Sequence, residues 1–217
     1  WTNMALLAAV VVVVLLLLLV FIRLYLVFKA GRNDPFRGKD SFTIVIVAGS
    51  AGGHTSEILR LAGSLSSSFC PRYYVVADTD RMSEEKISTF ENSRGEPKHQ
   101  FTICRIPRSR EVRQAWSSSV ISTFTSFCSS VPLMFTIRPD VVLCNGPGTC
   151  LPLCVAALLL GLLGLKKVVL VYVESVCRVQ TLSLTGRILY RLSDYFFVQW
   201  PSLRDKYPKS IFLGRIV

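Results

Sequence analysis

Residues 5–22 are 18 consecutive apolar residues, mostly Val and Leu, and after Arg23 the run resumes at 24–28. At 1.5 Å per residue the first stretch is about 27 Å long as a helix, close to the hydrocarbon thickness of an endoplasmic reticulum bilayer. A cleavable signal peptide has an apolar region of about 7–15 residues that ends at a small-residue site. This run ends in Arg and aromatic residues, so residues 5–28 are expected to be an uncleaved membrane anchor. The chain opens on Trp1 rather than Met, and we expect its natural N-terminus to lie upstream.

The flanks set the orientation. No charge precedes the run, whereas Arg23, Lys29, Arg32, Arg37 and Lys39 follow it. By the positive-inside rule these stay cytosolic, leaving a short lumenal N-terminus and a cytosolic C-terminal domain. The seven cysteines agree, being odd in number and set mostly in apolar stretches, as reduced, buried side chains are. Cys144, Cys150 and Cys154 lack C-x-x-C spacing and a nearby His, so no metal site is expected. The hydrophobic fraction of 51% excludes disorder and a collagen-like or disulfide-laced chain. The net charge of +11 favours an anionic partner: a lipid surface, a phosphate group or nucleic acid. Nucleic acid is the weakest of these, because the charge clusters beside the anchor and at 105–113, without an aromatic-rich binding motif.

Residues 29–41 carry Gly, Pro and mixed charge and read as a basic linker. The β-branched run at 42–48 reads as a strand buried on both faces, followed by a glycine loop and a helix with Ile58, Leu61, Ala62 and Leu65 at helical spacing. Further strands are expected at 73–77, 141–144, 166–173 and 195–198, with helices beginning at 82, running through 156–163, and at 184–192. Residues 151–165 are very apolar but too short to span, and they read as the buried helix of a βαβ unit. The alternation predicts one α/β doubly wound, Rossmann-like domain over residues 42–217, behind one N-terminal transmembrane helix. Ligands in such sheets lie beyond the carboxyl ends of the strands.

Two glycine loops fall there. G-S-A-G-G-H at 49–54 lets backbone approach a ligand, and the amides opening the next helix point at an anion. It is neither a Walker A loop nor G-x-G-x-x-G, and a tight strand-to-helix turn explains it equally well. Ser50, Gly52 and Gly53 are its candidate anion-binding residues. His54 stands at the positive end of a helix dipole, which favours a neutral imidazole able to accept a proton. A histidine hydrogen-bonded within the turn is the alternative. N-G-P-G-T at 145–149 offers a second cradle from Asn145, Gly146, Gly148 and Thr149, and two cradles at neighbouring strand ends suit a diphosphate. Glu174 follows the next strand, as a base, a ligand for a sugar hydroxyl, or a capping carboxylate. Asp78 and Asp80 resemble a metal-holding D-x-D, although a helix cap explains them better. Arg105, Arg108, Arg110 and Arg113 form a solvated basic face or a site for anionic lipid.

Taken together, G-G-H, D-V-V-L-C-N-G-P-G-T, V-E-S-V-C-R-V, I-P-R-S-R-E-V and the tail S-D-Y-F-F-V-Q-W-P resemble the acceptor half of the GT-B glycosyltransferases, which have two Rossmann-like domains. The bacterial relative is the lipid-linked N-acetylglucosaminyltransferase of peptidoglycan synthesis. With the anchor, the chain is most similar to the family of membrane-anchored subunits of the eukaryotic enzyme that adds the second N-acetylglucosamine to dolichyl-diphosphate-N-acetylglucosamine. That resemblance implies a β-1,4-N-acetylglucosaminyltransferase split over two chains in lipid-linked oligosaccharide synthesis. This chain would recruit a cytosolic catalytic subunit that binds UDP-N-acetylglucosamine to the endoplasmic reticulum membrane, and would be inactive alone. No cofactor is implied, and the enzyme of the preceding dolichol step is a further partner. Subtracting the first 41 residues leaves 176, one Rossmann-like unit where this sugar transfer takes two. The competing readings are a pure tether without active-site groups, and a self-sufficient metal-dependent glycosyltransferase built on Asp78 and Asp80.

Overall fold

Val45 and Val47 point to one side of a strand and Ile44 and Ile46 to the other, and all four are buried. That double burial sets the architecture, because a strand without a wet face needs helices on both sides. The computed structural model describes residues 2–29, 38–49, 53–95, 100–110, 114–146 and 148–217. The linker positions 30–37, Ser50, Gly52, His99, Arg113 and Pro147 lie outside the described residues. In chain order the elements are α1 (Thr2–Lys29), β1 (Ile44–Val47), α2 (Gly53–Gly63), β2 (Arg72–Ala77), α3 (Arg81–Ser93) and β3 (Phe101–Ile106). There follow α4 (Trp116–Ile137), β4 (Val141–Asn145), α5 (Cys150–Leu162), β5 (Val169–Val173), α6 (Leu184–Leu192), β6 (Tyr195–Val198), α7 (Pro201–Lys206) and β7 (Ile211–Phe212).

The strands form one sheet in the order β3-β2-β1-β4-β5-β6-β7, and every neighbouring pair is parallel. This is the expected doubly wound α/β sheet. One core joins Val45, Val142 and Leu170 to Met134 of α4 and to Leu153, Ala157 and Leu160 of α5. The other joins Ile44, Ile46, Tyr74 and Val76 to Ile58 and Ala62 of α2 and Ile87 of α3. Chain direction across the sheet reverses between β1 and β4, so the ends of these two strands open a crevice.

Four elements exceed the sequence expectation: β3, α4, α7 and β7. β3 is an edge strand in which Thr102 and Arg105 are exposed and Ile106 alone is buried, so it lacks a continuous apolar run. α4 is rich in Ser and Thr and contains Pro132, all poor helix formers. Its hydroxyls satisfy themselves on the helix: Thr123 donates to Ser119 O (2.7 Å), Ser130 to Ser126 O (2.7 Å) and Thr136 to Pro132 O (2.9 Å). The helix ends at Arg138, left-handed at φ 47° just before Pro139. By length and apolar character Ser117–Ile137 meets the requirement for a membrane span, although it packs along α5 and supplies Met134 to the core. The N-terminal apolar run is one continuous helix of 28 residues, α1, with Leu6, Val10, Leu18 and Phe21 exposed.

Beneath the sheet, Arg72 and Glu91 form a fully buried pair, Nε to Oε1 at 2.9 Å and Nη2 to Oε2 at 2.8 Å, and Tyr74 donates its hydroxyl to the same carboxylate. Burial first, and the Glu91 carboxylate second, push the Tyr74 phenol far above its ordinary range.

Candidate functional site

The crevice between β1 and β4 is built from the residues that end those strands. β1 gives way to Ala48 and Gly49, and α2 opens at Gly53. Thr55 ties the turn down by donating to Gly49 O at 2.7 Å. One residue earlier, His54 is carried half-exposed on the first turn of α2. Asn145, the last residue of β4, is completely buried, and its Oδ1 lies 3.2 Å from His54 Nδ1.

The far side of Asn145 decides the chemistry of that contact. Its Nδ2 donates to Glu57 Oε2 at 2.8 Å and more weakly to Val173 O at 3.4 Å. A carboxylate and a carbonyl only accept, so the amide nitrogen faces them and Oδ1 faces the imidazole. In the neutral ring the hydrogen therefore sits on Nδ1, and Nε2 keeps its lone pair. Glu57 Oε1 is held in turn by Ser175 Oγ at 2.9 Å. His54 and Glu57 stand three residues apart, on one face of α2.

Gly146 follows Asn145 in the left-handed region at φ 71°, and a Cβ there would lie 2.5 Å from His54 Cε1. Glycine is required on both counts. Gly148 and Thr149 complete the second loop, and the Thr149 hydroxyl is buried with no partner among the described residues. Ser50 and Gly52 of the first loop lie outside the described residues, and Gly53 is exposed at the start of α2.

Glu174 is fully buried behind this crevice. Its carboxylate accepts from Ser183 N (3.0 Å), Ser183 Oγ (3.1 Å) and Ser175 N (3.2 Å), with Tyr172 Oη at 3.4 Å. Burial raises its pKa, and the serine donors and Arg178 pull it back only in part. These bonds hold the loop 175–183 against the sheet. Asp80 caps α3, accepting from Ser83 N at 3.1 Å and Ser83 Oγ at 2.7 Å, while Asp78 is exposed. Arg105 turns to Glu84 in a forked pair at 2.7–3.1 Å, away from the crevice. Arg108 has a buried Nε without a partner among the described residues, Arg110 borders the groove, and Arg113 lies outside them.

Two cavities meet here. A polar cleft of about 360 Å³ is lined by His54, Glu57, Gly146, Ser175, Arg178 and Ser183. An open groove of about 690 Å³ runs from it between α4, α5 and α6, walled by Val120, Phe124, Leu151, Val155, Leu184 and Ile188. Gly146, Arg178 and Ser183 border both. Sequence reasoning missed Glu57, Ser175 and Arg178. The i, i+3 spacing of His54 and Glu57 was the one available signal.

The family model for "Oligosaccharide biosynthesis protein Alg14 like" matches residues 44–216. The chain belongs to the Alg14 family. It is 57% identical over 203 residues to the human UDP-N-acetylglucosamine transferase subunit ALG14, covering 91% of this chain and 92% of that one. The Yarrowia lipolytica protein of the same name is 40% identical over 201 residues, covering 91% and 93%. Among solved structures it is similar to Acinetobacter baumannii MurG, with a TM-score of 0.56 and 19% identity over 74% of this chain. The match spans only 42% of the MurG chain. LpCGTa in complex with UDP aligns with a TM-score of 0.52 at 12% identity, covering 82% of this chain and 55% of that one. The last two establish a shared glycosyltransferase-like fold, in agreement with the GT-B expectation.

Proposed function

We propose that this chain is the membrane-anchored, acceptor-binding subunit of a two-chain β-1,4-N-acetylglucosaminyltransferase. It acts on dolichyl-diphosphate-N-acetylglucosamine at the cytosolic face of the endoplasmic reticulum. The observation that carries the reading is the junction of the polar cleft with the apolar groove at Gly146, Arg178 and Ser183. A sugar diphosphate on a hydrocarbon chain needs such a pair of surfaces side by side.

The amides of Gly146, Gly148 and Thr149, with those of 50–53, receive the diphosphate, and the exposed Arg178 guanidinium adds charge. The first isoprene units lie in the groove. The Nε2 lone pair of His54 takes the proton of the acceptor 4-hydroxyl while that oxygen attacks the anomeric carbon of the donor sugar. The bond to UDP breaks on the opposite face, with inversion. Glu174 serves as the anchor of loop 175–183. α1 crosses the bilayer with the charged 23–39 segment on the cytosolic side. The human and Yarrowia relatives are named transferase subunits, which supports a separate catalytic partner that brings UDP-N-acetylglucosamine.

The test is co-purification from membranes, followed by transfer assays on the chain alone and on the reconstituted complex. The complex should transfer N-acetylglucosamine, and His54→Ala should abolish turnover. Transfer by the isolated chain would overturn the two-chain arrangement. Wild-type turnover of His54→Ala would remove the base.

A further inference from the structure

We infer that Glu57 is a positioning residue that fixes the tautomer of His54 through Asn145, an inference that rests on the transfer reaction proposed above. His54 can present either ring nitrogen as acceptor, and only Nε2 as acceptor serves as a base while Nδ1 faces Asn145. The choice is made one residue removed. An asparagine amide reads equally well in either orientation, so Asn145 alone specifies nothing. Glu57 supplies most of the preference, because its carboxylate at 2.8 Å attracts Nδ2 and repels Oδ1, and the Val173 carbonyl at 3.4 Å adds weakly to it.

Glu57 is itself fixed. Ser175 Oγ holds its other oxygen at 2.9 Å, and Cys177 N donates to the same hydroxyl at 3.3 Å, so that Ser175 Oγ has its proton free for Glu57. Glu174 orients Ser175 from behind by accepting its backbone N–H at 3.2 Å. The chain of contacts runs from the loop after β5, through α2, to the end of β4, and back to α2. Its direction is polarised throughout: N–H or O–H donors point towards Glu57, and Asn145 passes that polarity on to the imidazole. A carboxylate that orients a histidine across one intervening group follows the logic of a catalytic triad, with an amide inserted.

Glu57→Gln tests this without changing size. A glutamine can offer NH₂ to Asn145 Oδ1, which lets Asn145 turn over and present Nδ2 to His54. The ring then accepts at Nδ1 and carries its hydrogen on Nε2. Locking a wrong tautomer costs about 10⁴-fold where the carboxylate touches the histidine directly. Here glutamine permits both orientations, so kcat should fall in proportion to the share of rings that keep Nε2 as acceptor, about twofold to tenfold, with KM for the lipid acceptor unchanged within measurement.

The direct readout is the ring itself. The chain has two histidines, and His99→Gln leaves one. Nitrogen NMR of ¹⁵N-histidine-labelled complex at pH 8 should show His54 with the hydrogen on Nδ1 in the wild type, and a mixture of tautomers in Glu57→Gln. The spectrum with native Glu57 needs no change in the crevice, and hydrogen on Nε2 there would overturn the inference. So would an unchanged kcat, or an unchanged spectrum, in a Glu57→Gln complex with wild-type thermal stability. Because the spectrum does not depend on turnover, a correct tautomer in a complex without transfer activity would overturn the proposed function and leave the clamp standing.

Discussion

Gly146→Ala should separate the chemistry of the crevice from its fold. A Cβ at this position would stand 2.5 Å from His54 Cε1 and 2.7 Å from Nδ1, whereas ordinary contact begins near 3.4 Å. The ring must therefore retreat by about 0.9 Å. Its 3.2 Å contact with Asn145 Oδ1 then lengthens past hydrogen-bonding range. A base displaced by about 1 Å costs roughly 100-fold in rate. The methyl group also pays for the left-handed backbone, about 1–2 kcal/mol, so the folded state survives with its melting temperature lowered by roughly 2–8 °C. The assay is transfer of labelled N-acetylglucosamine to the lipid acceptor by the reconstituted complex, with a thermal melt on the same sample. Gly63→Ala is the control. A methyl group there meets Phe90 at an ordinary 3.7 Å, and the change should leave turnover intact. A Gly146→Ala complex that melts a few degrees lower yet keeps kcat within threefold would refute the placement of His54 as base.

Four further outcomes are expected. Arg72→Met strands the buried Glu91 carboxylate and should destabilise the chain by about 3–5 kcal/mol in denaturant titration, while the double change with Glu91→Leu recovers most of that loss. Glu174 has its pKa raised in the fold, so the protonated form is favoured there, and its contribution to stability is present below the ordinary value of 4.5 and lost as pH rises through the folded value. Melting temperature against pH should accordingly fall less steeply above pH 4.5 in Glu174→Gln than in the wild type. Phe124→Asp in the groove should raise KM for a long-chain acceptor about 10–100-fold, the worth of one buried aromatic side chain, and leave a short water-soluble acceptor unaffected. Removing residues 2–29 should shift the chain from the membrane pellet to the supernatant after carbonate extraction.

The fold was legible wherever burial was double-sided. β1 reads as I-V-I-V and β5 as V-L-V-Y-V, continuous apolar runs that only a sheet covered on both faces accommodates. β3 escaped because an edge strand is covered on one side only, and β7 because two residues carry no periodicity. α4 escaped for a different reason: its Ser and Thr residues favour turns in isolation, and tertiary packing against α5 overrides that preference. The site divided in the same way. His54 and Asn145 could be picked out because each borders a glycine loop at a strand end. Nothing local announces that Glu57 meets Asn145 across 88 positions, or Ser175 across 118. Arg178 sits in a segment that reads as an ordinary loop, and only its place at the junction of cleft and groove gives it a role.

The geometry also bears on how the proposed two chains would divide the work. Asn145 is the last residue of a central strand, whose Cys144 pairs with Val47 on one side and Tyr172 on the other, and Asn145 itself pairs with Val173. The residue in direct contact with His54 is thus fixed in hydrogen-bonded sheet rather than in an exposed loop. A site held this way is organised before any partner arrives, and the acceptor hydroxyl and its base can meet on this chain alone. Among the described residues the other wall of the crevice is the apolar groove. A partner that supplies the donor then has to bring one anomeric carbon to an oxygen already in place, which is a problem of docking and not of assembling a base.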